Sequence, residues 1–296
     1  MAIHPPIVVF SDVDGVLADP SFRAAASALV LQTSGQVALV LCSDKTRAEL
    51  EHICQGIGSS HPFICEHGGG VFVPRGYFGF NVPNARDLTG YQALEFGRPY
   101  AAVVDTLHRT AARLGIGVRG FNDMSVEEVA CECGVSLPRA RLAKLRDYGE
   151  LFRILDPSPI VRARLFKGLH AANLACVAGR PYHHVGAAVN TGPGVRLLSA
   201  LFRRKYGSVR TVGLTDAATD GSVFRFVDYP VIVKSADASA AARISKVVSA
   251  ARTTQAAGVA GWVEAITDQA TRDEALSEES HGRVDPAPRI HSLGEA

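Results

Sequence analysis

Several features that mark other classes of protein are scarce or absent in this sequence of 296 residues. The net charge is only +2, too small to favour binding to nucleic acid or to an anionic membrane surface. No segment has the roughly 20 consecutive apolar residues that a membrane-spanning helix needs. Residues 1–6 lack the charged and then apolar layout of a secretory signal peptide, so we expect a cytoplasmic protein.

Closely spaced cysteines are also scarce. Of the six cysteines only Cys131 and Cys133 are near each other in sequence, and a single CxC pair is weak evidence for a metal site. We therefore interpret the cysteines as reduced thiols. With 47% hydrophobic and 20% charged residues, the composition is that of a globular protein, and the length predicts one large domain or two smaller ones.

Short apolar runs alternate with helical stretches towards both ends of the chain. The runs are rich in β-branched residues, which is typical of strands buried on both faces of a parallel sheet, and they span residues 7–10, 37–42, 63–65, 209–214 and 230–233. Helices are predicted at residues 21–31, 46–57, 195–206 and 239–251. This rhythm predicts an open α/β sheet with ligands at the carboxyl ends of its strands.

The rhythm changes after about Pro83. Predicted helices at residues 100–114, 125–133 and 137–148, with strands at 151–155 and 175–177, indicate an inserted α+β unit. The expected organisation is a Rossmann-like catalytic core of residues 1–83 and 188–272, with an inserted unit of residues 84–187. Residues 273–296 are polar and contain two prolines, so a disordered tail is predicted there.

Acidic and hydroxyl side chains follow three separate predicted strands. Asp12 and Asp14 follow the first strand, Ser43 the second, and Asp216 a strand late in the chain. Phosphoryl transfer through a covalent intermediate needs a carboxylate nucleophile, an acid for the leaving oxygen, a hydroxyl to hold phosphoryl oxygens and a metal to offset charge. An isolated DxD pair in an acidic turn is common, but the three strand ends together form a more specific pattern.

Residues 11–17, SDVDGVL, resemble the DxDGT/V-L signature of haloacid dehalogenase-like phosphatases. The resemblance implies a Rossmann-like α/β core with an inserted C2-type α+β cap that reads the substrate. It implies that Asp12 is the nucleophile and Asp14 the general acid/base. It also implies phosphate binding by Ser43, Asp44 and Lys45.

The late strand-end motif extends the same resemblance. Residues 213–220, GLTDAATD, resemble the family's GDxxND motif. By that resemblance Mg²⁺ would be held by Asp12, by the backbone carbonyl of Asp14 and by Asp216, and oxygen ligands suit this ion. Asp220 would support the site.

Seven further segments are similar to motifs of the mannosyl-3-phosphoglycerate phosphatases, in family order along the chain. They are LCSDKTRAE at 41–49 (similar to CSSKTRAE), PFICEHGGG at 62–70 (PFIxENGGA), LEFGRPY at 94–100 (ELGxPY), DMSVEEV at 123–129 (DMSxEEV), RLAKLRDYGELF at 141–152 (RLAKxREYDEPF), GRPYH at 179–183 (GRFYH) and GWVEAI at 261–266 (GWNEAI).

This narrower resemblance implies a small-molecule partner, a phosphorylated sugar or sugar-glycerate such as mannosyl- or glucosyl-3-phosphoglycerate. The product would be a compatible solute such as mannosylglycerate. Because the substrate carries a phosphate and a carboxylate, a basic cap suits it, and Arg146 could hold a carboxylate through two hydrogen bonds. The other expected substrate-binding residues of the cap are Tyr148, Glu150, Arg180 and His183.

The sequence departs from the family pattern at the phosphate site. Where the family has DKGKA, residues 190–194 are NTGPG, so Thr191 replaces the lysine that neutralises the phosphate and Pro193 replaces a second lysine. Thr215 and Thr219 replace a glycine and an asparagine of the GDxxND motif. Loss of one such electrostatic partner typically costs about 3–4 kcal/mol of transition-state stabilisation.

Several hypotheses remain open from the sequence. Lys45 or Arg196 could replace the missing lysine in an active phosphatase, or the enzyme could be slow with an altered substrate. The chain could instead be a pseudoenzyme that binds sugar phosphates without hydrolysing them. A phosphomutase, which returns the phosphoryl group to its substrate, is a further alternative. The identity of the sugar and the oligomeric state do not follow from the sequence.

Overall fold

Two sheets, one of nine strands and one of four, carry the fold. The computed structural model describes residues 7–17, 19–33, 35–179, 181–215, 221–234 and 251–268. In chain order the strands are β1 (Ile7–Asp12), β2 (Val37–Cys42), β3 (Phe63–Cys65), β4 (Gly70–Pro74), β5 (Arg86–Leu88), β6 (Tyr91–Glu95), β7 (Val118–Gly120), β8 (Gly149–Ile154), β9 (Ala175–Val177), β10 (His183–Gly186), β11 (Arg210–Thr215), β12 (Tyr229–Lys234) and β13 (Arg252–Ala257).

The helices occupy the segments between these strands. They are α1 (Phe22–Gln32), α2 (Arg47–Ile57), α3 (Tyr100–Leu114), α4 (Val126–Cys133), α5 (Leu137–Ala143), α6 (Pro159–Ala171), α7 (Gly192–Tyr206) and α8 (258–268). Among the described residues, none of the helices combines the length and hydrophobicity needed to cross a membrane.

Strand β1 lies near the middle of the nine-stranded sheet. The parallel part of this sheet runs β13-β12-β11-β1-β2-β3, and β4, β6 and β5 extend it in antiparallel fashion. From β1 the chain continues to β2 on one side, while β11 on the other side comes from much later in the sequence. Such a change of direction leaves a crevice at the carboxyl ends of the strands, and Asp12 lies there.

Both faces of the large sheet are buried. In β1, Ile7 and Val9 belong to a core layer that includes side chains of α1, α2 and α8, whereas Val8 and Phe10 belong to a layer that includes side chains of α7. All four side chains are at most 2% exposed. This burial explains why the strand reads as a continuous apolar run.

Trp262 of α8 connects the end of the described chain to β1. Its indole Nε1 donates a hydrogen bond to Ser11 Oγ at 2.7 Å, and its ring packs edge-on against Phe22 at 5.3 Å between centroids. The side chain is fully buried. Trp262 therefore stabilises the strand end that carries Asp12.

The four-stranded antiparallel sheet has the order β7-β8-β10-β9 and forms a second unit (residues 99–186, the cap). Side chains of α3 and α6 pack against Phe152 and Val185 on one face. Side chains of α4 and α5 pack with Leu151 on the other. Ser125 caps the start of α4, because its hydroxyl accepts a hydrogen bond from the Glu128 N–H at 3.1 Å.

The structure places one boundary differently from the sequence prediction. A division at residue 83 would assign β5 and β6 to the inserted unit, but both belong to the nine-stranded sheet, where β6 pairs with β4 and β5 pairs with β6. Strand pairing therefore moves this boundary to a point after Glu95. The middle unit has a sheet of its own and interrupts the core, as expected.

One predicted helix is too long. The basic pattern at residues 137–148 predicts a helix to Tyr148, whereas α5 ends at Ala143 because the following residues are bonded to the core. Further elements that the sequence patterns did not reveal are helices α6 and α8 and strands β4, β5, β6, β7, β10 and β13. The predicted helix at 239–251, except for its last residue, and the predicted tail lie outside the described residues.

Candidate active site

Asp12 and Asp14 lie at the carboxyl edge of the large sheet, as the strand pattern predicts. Asp12 Oδ1 accepts a hydrogen bond from the Asp14 N–H at 3.0 Å, and Asp12 Oδ2 accepts one from Thr215 Oγ1 at 3.0 Å. Thr215 ends β11, so two adjacent strands orient the Asp12 carboxylate. The predicted metal ligand Asp216 and the predicted supporting residue Asp220, like Thr219, lie outside the described residues.

The loop after β2 surrounds the Asp14 carboxylate. The Ser43 hydroxyl donates a short hydrogen bond to Asp14 Oδ1, and the Asp44 N–H donates to Oδ2 at 3.0 Å. Lys45 Nζ lies 3.2 Å from Asp14 Oδ1 and 3.5 Å from Asp44 Oδ1. The structure thus brings together all three residues that the resemblance implies for phosphate binding.

Burial and charge set the protonation of this cluster. Burial, reinforced by the charge of Asp44, raises the pKa of Asp14 despite the opposing effects of Lys45 and Ser43. Burial would also raise the pKa of Asp44, but the charges of Lys45, His67 and Arg146 lower it overall. An acid with a raised pKa next to one that stays ionised suits proton donation at neutral pH.

Lys45 is firmly held in its charged form. Burial acts to lower the pKa of its ammonium group, but the charges of Asp14 and Asp44 outweigh this effect and raise the pKa above its ordinary value. Its side chain is 29% exposed, so the cation remains partly accessible beside the two carboxylates. This position suits contact with an anionic ligand.

Thr191, at the position of the family's lysine, is buried at the start of α7. The chain next to it packs tightly against the loop after β3, since a Cβ on Gly68 would lie 2.4 Å from the Asn190 carbonyl oxygen and 3.1 Å from Thr191 Cα. Pro193 occupies the first turn of α7, where backbone N–H groups have no partner within the helix, so its missing N–H costs no hydrogen bond. Two cations were proposed to replace the missing lysine. Lys45 lies against the carboxylates of Asp14 and Asp44, whereas Arg196 is exposed on α7.

The residues expected to read the substrate in the cap are buried in this structure. Arg146, Tyr148, Glu150 and His183 are each at most 8% exposed. Arg180 lies outside the described residues. Burial of the four side chains shows that none of them is a solvated surface group, and each has a protein partner.

Three of these buried side chains form hydrogen bonds with identified groups of the protein. Glu150 Oε2 accepts a hydrogen bond from Tyr100 Oη at 2.5 Å, and His183 Nδ1 accepts one from the Gly179 N–H at 3.2 Å. Tyr148 Oη donates to Glu95 Oε1 at 2.8 Å. Substrate contacts by these side chains stay predictions, since the contacts present are within the protein.

Arg146 lies at the junction of cap and core. Its Nη2 donates to the Asp44 carbonyl oxygen at 3.1 Å, its Nε donates to the Gly149 carbonyl oxygen at 2.5 Å, and the guanidinium lies 3.6 Å from Glu66. With a side chain that is 1% exposed, it links cap and core here. None of these contacts supports the expected binding of a substrate carboxylate by Arg146, which stays a prediction.

Two residues at this junction were not singled out from the sequence as site residues. Glu66 is fully buried and accepts hydrogen bonds from backbone N–H groups of the cap, and His67 packs edge-on against His184 at 4.6 Å between ring centroids. The only signal for Glu66 was its position in the segment PFICEHGGG, two residues before the first of three glycines. The partners of both residues lie far away in sequence.

The donor atoms at the sheet edge suit Mg²⁺. Asp12 and Asp14 present oxygen donors at the strand edge, which is the ligand chemistry that Mg²⁺ prefers. Within the part of the chain that the structure describes, no group of three or more His, Cys, Asp or Glu side chains is arranged to hold a metal. The two aspartates fit the ion, and the third expected ligand, Asp216, falls outside that part.

The sheet order, the aspartate pair after its central strand and the inserted second sheet together define a protein of the haloacid dehalogenase-like class. A solved phosphatase of the haloalkanoate (HAD) enzyme superfamily from Bacteroides thetaiotaomicron has the same fold. It superposes with a TM-score of 0.59 and 16% identity, covering 90% of this chain and 96% of that chain. The expected fold is thereby confirmed.

Two curated relatives carry the identification further, and both are named glucosyl-3-phosphoglycerate/mannosyl-3-phosphoglycerate phosphatase. The protein from Methanococcoides burtonii is 32% identical over 264 residues, which cover 88% of this chain and 96% of the relative. The protein from Persephonella marina is 34% identical over 231 residues, which cover 77% and 84%. No family model matches the chain. The chain therefore belongs to the glucosyl-3-phosphoglycerate/mannosyl-3-phosphoglycerate phosphatase family, which confirms the family resemblance.

Proposed function

We propose that the protein is a phosphoric monoester hydrolase that releases inorganic phosphate from glucosyl- or mannosyl-3-phosphoglycerate. The observation that carries this proposal is the Asp12–Asp14 pair at the sheet edge, with Ser43 and Lys45 bonded to Asp14. Family membership supports the choice of a sugar-phosphoglycerate as substrate. Each of these groups has a distinct role in the proposed reaction.

Asp12 is the proposed nucleophile and Asp14 the proposed acid. A carboxylate oxygen of Asp12 attacks phosphorus while the bond from phosphorus to the glycerate oxygen breaks, and Asp14 gives its proton to that leaving oxygen. Asp14 then accepts a proton from the water that attacks the phosphorus of the aspartyl-phosphate. This second step releases phosphate and restores the Asp12 carboxylate.

Phosphate binding is assigned to the loop after β2. The Ser43 hydroxyl and the Lys45 ammonium lie against the Asp14 carboxylate, and these contacts support a proposed role for both groups in binding phosphoryl oxygens. Asp12 and the backbone carbonyl of Asp14, with Asp216, would hold Mg²⁺. When bound, that ion would offset the charge of the phosphoryl group.

A binding-only protein is the second candidate, because Thr191 replaces the family's lysine. Such a pseudoenzyme would bind sugar phosphates at the same edge and release nothing. The position of Lys45 favours the phosphatase, since it supplies a cation beside the reacting carboxylates.

The test is phosphate release with Mg²⁺ from mannosyl-3-phosphoglycerate, glucosyl-3-phosphoglycerate, 3-phosphoglycerate and hexose phosphates. We expect the two sugar-phosphoglycerates to give the highest kcat/KM, and we expect Asp12→Asn to abolish release. Asp105→Asn, an exposed carboxylate of α3, is the matched control.

The outcomes separate the hypotheses. Equal rates for wild type and Asp12→Asn would refute the nucleophile assignment. Ligand-induced thermal stabilisation without turnover would favour the pseudoenzyme. Phosphate released in smaller amount than the substrate consumed would favour a phosphomutase.

A further inference from the structure

Glu66 is a buried carboxylate to which the proposed chemistry assigns no role. It follows β3 and is 0% exposed, yet it lies in the left-handed region of backbone conformation with φ of +48°. Few residues other than glycine adopt this conformation, so the position is held by its surroundings.

The Glu66 side chain binds the cap. Its Oε1 accepts a hydrogen bond from the Asp147 N–H at 2.8 Å, and its Oε2 accepts from the N–H groups of Tyr148 at 3.0 Å and Gly149 at 2.7 Å. Three successive backbone donors on one carboxylate fix the position of residues 146–149 (the pivot segment) relative to the core.

The Glu66 backbone binds the phosphate loop. Its N–H donates to the Lys45 carbonyl oxygen at 3.0 Å, and the next N–H, of His67, donates to the Ser43 carbonyl oxygen at 3.1 Å. One residue therefore contacts the cap with its side chain and the proposed phosphate-binding loop with its main chain.

Arg146 forms a second link between the same two segments. It belongs to the pivot segment, it donates to the Asp44 carbonyl oxygen at 3.1 Å, and it lies 3.6 Å from the Glu66 carboxylate. Because both charged groups are buried, each is the compensating charge for the other.

The pivot segment lies beside both crossings of the chain between core and cap. The Tyr100 N–H, after the first crossing, donates to the Asp147 carbonyl oxygen at 2.9 Å. Gly186, before the return crossing, pairs with Gly149. A change in this segment would therefore alter how the cap is set over the sheet edge.

Tyr148 is seated in a slot made by three glycines. A Cβ added at Gly69, Gly70 or Gly97 would lie 2.5–2.6 Å from atoms of the Tyr148 side chain. Distances below 3 Å require displacement, so a methyl group at any of these positions would push the pivot segment away from the core. The pivot segment is therefore held by the close packing of Tyr148 against these glycines as well as by its hydrogen bonds.

We infer that Glu66 is a positioning residue that couples the cap to the phosphate-binding loop, and that this coupling favours substrates large enough to reach the cap. The inference rests on the proposed phosphatase function. A substrate whose sugar and glycerate contact the cap needs the cap correctly placed, whereas a small aryl phosphate needs only the phosphate loop and the aspartates.

The test compares mannosyl-3-phosphoglycerate with p-nitrophenyl phosphate in wild type and Glu66→Gln. The amide of glutamine offers one acceptor oxygen where Glu66 offers two, so at least one of the three backbone donors loses its partner. We expect kcat/KM for the sugar-phosphoglycerate to fall about 100-fold, as misplacement by about 1 Å does in other enzymes. We expect a clearly smaller fall for p-nitrophenyl phosphate, which depends on the loosened phosphate loop but not on the position of the cap.

Two further variants sharpen the comparison. Gly97→Ala displaces Tyr148 without removing a charge and should give the same selective loss. Glu132→Gln is the matched control, because this cap carboxylate pairs with Arg119 and Arg153 away from the pivot segment, and it should leave both activities unchanged. Equal losses on both substrates in Glu66→Gln and Gly97→Ala would overturn the inference.

Hydrogen exchange followed by mass spectrometry tests the coupling without turnover, so a failure of the proposed function would not obscure it. We expect Glu66→Gln to speed exchange in peptides covering residues 43–47 as well as 147–149. Faster exchange confined to residues 147–149 would contradict coupling to the phosphate loop. An inactive wild type that still showed exchange changes in both peptides would refute the proposed function and support the coupling.

Discussion

At the scale of single residues, Lys45 bears most directly on the choice between an active phosphatase and a binding-only protein. Its ammonium nitrogen lies 3.2 Å from Asp14, whereas the family's lysine is replaced by Thr191. A cation at this distance offsets two carboxylates before any substrate arrives. With a phosphoryl group bound, the same ammonium is placed to contact its oxygens. We therefore propose Lys45 for the role of the lysine that Thr191 replaces.

This assignment predicts that Lys45→Gln lowers kcat/KM about 10²–10³-fold, the typical loss when one electrostatic partner of the transition state is removed. Thr191→Lys alone should give no gain, because the site already has its cation, but it should restore part of the rate in the Lys45→Gln background. Steady-state phosphate release measures all three variants.

The exposed Lys167 of α6 provides the control for that experiment, since Lys167→Gln removes a charge from the cap without touching the site. A Lys45→Gln variant with the full wild-type rate would refute the assignment. A large gain from Thr191→Lys in the wild-type background would show instead that the site lacks a cation.

Residue-scale prediction from the sequence succeeded where the signal was local. Asp12, Asp14 and Ser43 each follow a buried strand directly, so their convergence follows from the geometry of a parallel sheet. Arg146 was also singled out, but its neighbours Asp44 and Glu66 belong to loops about 80–100 residues earlier, and no local pattern reveals such contacts.

At the scale of elements, strand β10 shows how neighbouring histidines can differ. His183 faces the rings of Phe152 and Phe166 under α6, whereas His184 points to the other face, against His67. His184 is 3% exposed, and its two ring nitrogens have no hydrogen-bond partner among the described residues. Burial, with the charges of His67 and Arg146, lowers its pKa well below 6.5.

A depressed histidine pKa links stability to pH. The unfolded chain takes up a proton at His184 as the pH falls below about 6.5, whereas the folded chain does not, so stability is lost towards acid at up to about 1.4 kcal/mol per pH unit. We expect His184→Leu to reduce this loss and to raise the melting temperature at neutral pH, because two unpaired buried nitrogens are removed.

Calorimetric melting between about pH 5 and pH 8 measures both effects, with the exposed His170→Gln variant of α6 as control. An acid-side slope in His184→Leu equal to that of the wild type would show that His184 gains a proton in the folded state or contributes nothing to the linkage.

Element boundaries could be predicted wherever periodicity and caps agreed. Helix α3 occupies residues 100–114 as predicted, and Ser125 caps α4. Helix α5 could not be bounded, because its basic pattern continues into residues 146–148 while tertiary bonds to Glu66 and Asp44 draw those residues out of the helix. Strands β5 and β6 join the core sheet through antiparallel pairing, and an alternation of strands and helices in the sequence does not predict such pairing.

At the scale of the whole molecule, the sheet edge and the cap have separate tasks. In the proposed function the edge, which holds the aspartates and the phosphate loop, carries out the reaction, and the cap selects which phosphate esters are accepted. The fold class and the family could be predicted from the sequence because motifs recur in family order over most of the chain. The docking of cap on core could not, because it depends on buried contacts such as Glu66 with Tyr148.

The central claim is that Asp12 accepts the phosphoryl group. The most direct measurement is to quench the enzyme with acid during turnover of mannosyl-3-phosphoglycerate, reduce it with borohydride, which converts an aspartyl-phosphate to homoserine, and locate the change by peptide mass spectrometry. We expect homoserine at position 12 in the wild type and none in Asp12→Asn. Phosphate release with Asp12 unmodified, or homoserine at position 14, would contradict it.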